Sequence, residues 1–305
     1  MKWKIGFLFS LCFGLTSAHA QNNLITLENE SNSNDGSITI TALHLGAGAY
    51  TLKLMYNAPG FTSTYLNPYI TVVNPGRNTV CKFTPDKSAG YRSFGYRYSY
   101  YPGVAFKNTP NNYMHYVLPT MPGKTTNIVS VANLSSFLKK DNAGANHTQG
   151  FRYALGDTIC AARTGVVYEM NNNLTEGESS NTLYKSDRNS ISISHKDGTI
   201  AQYSILAPIQ SLVKNGEFVI AGQPIAFFNT IAEKYTLLLS VQYLDESKIR
   251  KEESKEIYNS LPVYYYLNEN APSTNLVEGQ KYECVKSIEI NYEELSKREK
   301  KKLGL

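Results

Sequence analysis

Short runs in which apolar and polar residues alternate recur along the first third of the chain. Ser37-Ile38-Thr39-Ile40-Thr41 alternates, and so does Tyr50-Thr51-Leu52-Lys53-Leu54-Met55-Tyr56. In Tyr91 to Tyr100 the two-residue period of a strand places Arg92, Phe94, Tyr96, Tyr98 and Tyr100 on one side. Asn57-Ala58-Pro59-Gly60, Asn74-Pro75-Gly76 and Tyr101-Pro102-Gly103 carry the Pro and Gly signals of turns between such runs. Several short strands at this spacing predict a β-sandwich-like domain over residues 36–130.

The pattern breaks between 119 and 150, where Pro119, Pro122, Gly123 and Lys139-Lys140-Asp141-Asn142-Ala143-Gly144 mark a change of domain. A second unit is expected over 131–290. Thr158 to Ala162 and Gly165 to Met170 read as strands joined by Arg163-Thr164. Ile191 to His195 and Thr199 to Leu206 read as a hairpin over Lys196-Asp197-Gly198. Tyr235 to Leu244 is a long apolar strand. After Asp245 the chain becomes charged, with a helical pattern over Ile249 to Tyr258 and two further strand candidates, Val263 to Leu267 and Lys281 to Val285. Residues 291–305 read as a basic C-terminal helix, acidic at its start and basic at its end, as the helix dipole favours.

The first twenty residues add a compartment. Lys2 and Lys4 precede an apolar run from Ile5 to Leu15, and Ser17-Ala18-His19-Ala20 ends it with small residues. This is the pattern of a secretory signal peptide cut after Ala20, and it predicts export to the periplasm or cell envelope. The run is too short for a comfortable membrane span, and no later segment is apolar enough for one. Residues 21–35, rich in Asn, Ser and Glu, read as a flexible lead-in. A net charge of +5 is too mild to argue for nucleic acid, and 23 tyrosines suit half-buried pleated sheet. Cys81, Cys160 and Cys284 fit no zinc-ribbon spacing. Each reads as a small buried hydrophobe, though export leaves one internal disulfide among them open.

Five segments between His147 and Leu244 resemble, in order and spacing, the lysostaphin-type zinc endopeptidases that cut peptidoglycan. They are His147-Thr148-Gln149-Gly150-Phe151-Arg152-Tyr153-Ala154, Gly156 to Val167, Ile191 to Thr199, Tyr203-Ser204-Ile205-Leu206, and Val213 to Ala226. The resemblance covers about a third of the chain. It implies an antiparallel β-sheet peptidase-like domain behind the sandwich. It also implies zinc held by a His and an Asp of the first segment and by the second His of an H-x-H strand, with two further histidines assisting. A catalytic zinc takes three protein ligands and an open water position.

Most of that set is missing. His147 matches the first ligand. Leu155 alone fills the gap where the Asp is expected, and Asp157 stands where the family has Thr. Ile205 replaces the His of "Y-x-H-L", and the H-x-H strand falls in Thr236 to Gln242, which holds no His. His195 is retained at a hairpin position that is not a ligand in the family. No catalytic residue is therefore assigned, and no cofactor is expected. His147 remains as a remnant, and Tyr203, Ile205, Leu238 and Ser240 are candidates to line a groove. Cys160 and Ser240 lack a partner base and are not read as nucleophiles. The implied role is an inactive peptidase homologue that binds cell-wall peptide or an envelope partner such as an active hydrolase. The alternatives are a zinc endopeptidase with a rearranged site, and a structural envelope component whose N-terminal sandwich does the binding.

Overall fold

In the computed structural model the described residues are 24–110, 114–131, 147–172, 189–232, 235–251, 257–268, 275–302 and 304. The expected signal peptide lies outside them. The chain is mostly β, as the alternation predicts.

Seven strands build the N-terminal unit: β1 (Ile25–Ser31), β2 (Ile38–His44), β3 (Tyr50–Asn57), β4 (Phe61–Thr62), β5 (Tyr69–Val73), β6 (Gly76–Pro85) and β7 (Gly95–Pro102). They form two sheets, β1-β2-β6-β4 and β5-β3-β7. The two enclose one core that includes Ile25, Ile40, Leu52, Leu54 and Phe83, all fully buried. Phe94, Tyr96, Tyr98 and Tyr100 pack against this core, as the period of their segment predicts, although the strand itself begins only at Gly95 and Arg92 is exposed.

Two expectations fail in this unit. Part of the supposed flexible lead-in is β1, which pairs with β2 along its whole length, from Ile25↔His44 to Ser31↔Ile38. As an edge strand it buries Ile25 and leaves its last four residues exposed, so a polar composition conceals a regular element. The change of domain also comes earlier than residue 130. Tyr116, Leu118 and Ile128 already belong to the second core, and the chain leaves the sandwich sheets after Pro102.

The second unit contains β8 (Ala105–Phe106), β9 (Thr125–Val129), β10 (Gln149–Tyr153), β11 (Thr158–Cys160), β12 (Gly165–Asn171), β13 (Asn189–Ser194), β14 (Ile200–Ile205), β15 (Gln210–Ser211), β16 (Phe218–Val219), β17 (Pro224–Phe227), β18 (Tyr235–Asp245), β19 (Tyr258–Leu261) and β20 (Lys281–Glu283). Its main sheet runs β16-β12-β13-β14-β18-β10-β9-β20, with β8 and β19 also paired to β18, and a small sheet β11-β17-β15 accompanies it. The predicted hairpin is β13–β14, in register from Asn189↔Ile205 to Ser194↔Ile200. β18 lies between β14 and β10. Leu237, Leu238 and Leu239 are all buried there.

The C-terminal readings need adjustment. The helix after β18 is Glu246–Arg250, started by Asp245, whose Oδ1 accepts the amides of Ser247 and Lys248 at 2.9 and 3.4 Å. Tyr258, expected to end that helix, opens β19, and residues 252–256 lie outside the described set. Val263 to Leu267 makes only a bridge, Tyr265 to Tyr116. Within the expected C-terminal helix of 291–305 the helix is Lys297–Lys302, and a short one, Ile288–Asn291, precedes it. Glu294 and the buried Leu295 lie between them, Glu294 turned inward by contacts described below. No described helix is long and apolar enough to cross a membrane.

Candidate functional site

Alternation across the main sheet sorts the site candidates onto two faces. Phe151, Tyr203, Ile205, Leu237 and Leu239 share the core face and are fully buried. Tyr203 is fixed there by its hydroxyl, which accepts the Ala162 amide at 2.7 Å. Tyr203 and Ile205 therefore do not line an open groove; a side chain with no exposed surface has no contact to offer a ligand.

The opposite face carries Leu238 and Ser240. Register places Gln202 opposite Ser240, Ser204 opposite Leu238 and Ile200 opposite Gln242 on β14–β18. On β13–β14, Ser190 lies opposite Ser204 and Ser192 opposite Gln202. Arg152 pairs with Thr236 at the β10 side. This outward face is thus a floor of hydroxyl and amide groups. Ser190, Gln202, Ser204 and Ser240 are partly exposed. Leu238 is buried at 3% exposure and contributes footing rather than contact. The N-terminal unit closes one end of the floor. A Cβ at Gly48 would meet Ser194, and one at Gly103 would come within 2.9 Å of Ile200.

The remnant metal residues are not brought together. His147 is partly buried, its amide donating to Ser260 Oγ at 3.5 Å. Asp157 accepts the Ala154 amide at 2.7 Å and closes the turn before β11. Leu155 is exposed within that turn. His195 is buried at the hairpin end, where its Nδ1 bonds the Thr164 carbonyl at 2.8 Å and its Nε2 has no partner among the described residues. Burial, then the neighbouring Arg163 charge, push its pKa down to about 3. A catalytic zinc needs three convergent ligands. Among the described residues no three His, Cys, Asp or Glu side chains converge in that way; the other ligand positions that the resemblance assigns fall at Leu155 and within Thr236 to Gln242, and Ile205 stands where an assisting His is implied. Cys81, Cys160 and Cys284 are free and buried.

The strongest polar cluster is one that the sequence passes over as a connector. Arg163, in the link between β11 and β12, is 2% exposed. Its Nε and Nη2 donate to the two carboxylate oxygens of Glu294 at 2.9 and 2.7 Å. Nη2 also donates to Asp197 at 2.8 Å, and Nη1 donates to Tyr116 and Thr199 hydroxyls at 3.1 and 3.3 Å. Burial alone would lower the guanidinium's pKa, but Tyr116, Glu294 and Asp197 outweigh it and hold it above the ordinary value. For Asp197, burial raises the pKa while Arg163 and two Thr199 hydrogen bonds lower it further, so the carboxyl is held below its ordinary value. The cluster ties three separate segments together: the hairpin turn, the 114–120 stretch and the C-terminal segment. The Asp-Gly turn was the only part legible in sequence, because an isolated Arg between strands carries no pattern.

No family model matches this chain, and no curated protein matches it. Among solved structures it is similar to Csd3 of Helicobacter pylori in the orthorhombic crystal, at 12% identity over 92% of this chain and 77% of that one, with a TM-score of 0.30. The hexagonal form gives 12% identity, 78% and 76% coverage, and a TM-score of 0.28. A zinc-containing peptidase from Vibrio cholerae gives 14% identity, 72% and 75% coverage, and a TM-score of 0.25. Likenesses of this size assign neither family nor activity.

Proposed function

We propose that this chain is a non-catalytic, exported relative of the lysostaphin-type peptidases that binds cell-wall peptide, or a partner hydrolase, on the outward face of its main sheet. One observation carries the reading. The strand to which the resemblance assigns the H-x-H motif presents Leu238 and Ser240 outward and Leu237 and Leu239 into the core. Hydrolysis needs a group that activates water, and hydroxyls, amides and aliphatic side chains do not supply one. They do supply paired donors and acceptors, which suit an extended peptide laid across strands.

Metal content tests this reading. Protein purified with zinc present and then dialysed is expected to hold substoichiometric metal. One tightly bound zinc per chain, with peptidoglycan cleavage that stops with chelator and returns with zinc, would overturn it in favour of a rearranged endopeptidase.

A further inference from the structure

On the sandwich sheet β5-β3-β7, Leu52 and Leu54 point into the N-terminal core, so Lys53 between them points from the other face. Lys53 is 4% exposed, yet its ammonium makes no hydrogen bond or ion pair among the described residues. It lines a pocket of ≈ 530 Å³ together with Met55, Asn57, Asn67, Arg97 and Arg250.

The neighbours do not satisfy it. Asn67 is held by the Tyr56 backbone, donating to its carbonyl at 2.7 Å and accepting its amide at 3.3 Å. Arg250 donates to Glu246 Oε1 at 2.6 and 3.0 Å and to the Pro68 carbonyl at 3.1 Å. Arg97 has contacts of its own. The described lining residues thus bring three cations and no carboxylate to one pocket, and Glu246 is committed to Arg250. The Lys53 stem is buried while its Nζ keeps a solvent contact beside this pocket, so the ammonium, without a protein partner among the described residues, is open to an incoming anion. The volume falls in the range of small-ligand sites, and a compact ammonium beside guanidinium groups is a recognition set for oxyanions.

We propose that this pocket binds a small oxyanion-bearing ligand, a carboxylate or a phosphate, with Lys53 as its principal contact. The site is separate from the outward face of the main sheet and stands whether or not that face binds peptide.

The test is titration of the full chain with inorganic phosphate and, separately, with N-acetylglycine, by calorimetry at low salt. Saturable one-to-one binding of at least one probe is expected, weakened at least tenfold in Lys53→Met and also weakened in Arg250→Gln. Phosphate alone binding identifies a phosphoryl ligand, N-acetylglycine alone a carboxylate, and both an oxyanion recognised by charge. Should Lys53→Met fail to fold, the unaltered protein still decides: the binding probe is expected to slow acylation of Lys53, read by mass spectrometry, and to leave the exposed Lys87 unchanged. Absence of saturable binding by both probes, unchanged affinity in folded Lys53→Met, or no protection of Lys53 would overturn the proposal.

Discussion

Replacing Glu294 by Gln removes one charge from the Arg163 cluster while keeping the shape. The pair it breaks is well buried, at 2% exposure for Arg163 and 10% for Glu294. Removing one partner of a buried ion pair costs about 3–5 kcal/mol, because the other charge is left without compensation. Here Asp197 remains at 2.8 Å, with 37% of its side chain exposed, and the Gln carbonyl can still accept one hydrogen bond. Those two facts place the expected loss at the lower end, about 3 kcal/mol. Equilibrium unfolding in urea at neutral pH measures it. Arg163→Met is expected to cost a similar amount. The double variant Arg163→Met with Glu294→Met is expected to cost less than the sum by about 2 kcal/mol, the coupling typical of residues in one network. A Glu294→Gln protein within about 0.5 kcal/mol of the parent, the usual range for an inconsequential surface change, would refute the reasoning. So would strictly additive costs.

Two further predictions come from the buried titratable groups. His195 stays neutral in the fold down to about pH 3, whereas in the unfolded chain it protonates near 6.5. Below pH 6.5 the unfolded state therefore binds more protons, and stability should fall on acidification through that window by up to about 1.4 kcal/mol per pH unit. His195→Asn should flatten this acid limb, and an unchanged slope in denaturant titrations at pH 6.5 and 4.5 would count against it. Asp197, whose pKa is lowered, adds a loss at still lower pH as it protonates. Burial pushes the Cys81 and Cys160 thiols up to about 12 and Cys284 up to about 11. All three should resist Ellman's reagent at pH 8 in the folded protein and react in denaturant; rapid labelling of any of them in the fold would contradict their placement.

How far the sequence revealed this molecule differs by element. Strands whose sequence alternates were legible, as in β3, β13 and β14, and the turns between strands carry Gly, Pro or Asp-Gly. β1 was not, since an edge strand that buries little more than Ile25 has the composition of a loop. The C-terminal segment was misread because its acidic residues satisfy the helix-dipole pattern, while in the fold Glu294 answers a buried Arg far away in sequence. The residue types at Ile205 and in Thr236 to Gln242 were legible one by one. The face to which each side chain turns was not. Tyr203 and Ile205 were grouped with Leu238 and Ser240, although register and period send the first pair into the core and leave Ser240 on the outward floor. The Lys53 pocket gave no warning, because a lysine in an alternating strand is the ordinary mark of a solvated face.

Isolated, peptide-bearing cell-wall sacculi provide the most direct measurement. Incubated with the purified chain and added zinc, they are expected to carry it down on sedimentation, with Ser240→Trp reducing the bound fraction, and to release no new amino termini. Release of amino termini that rises with zinc and disappears with chelator would contradict the account.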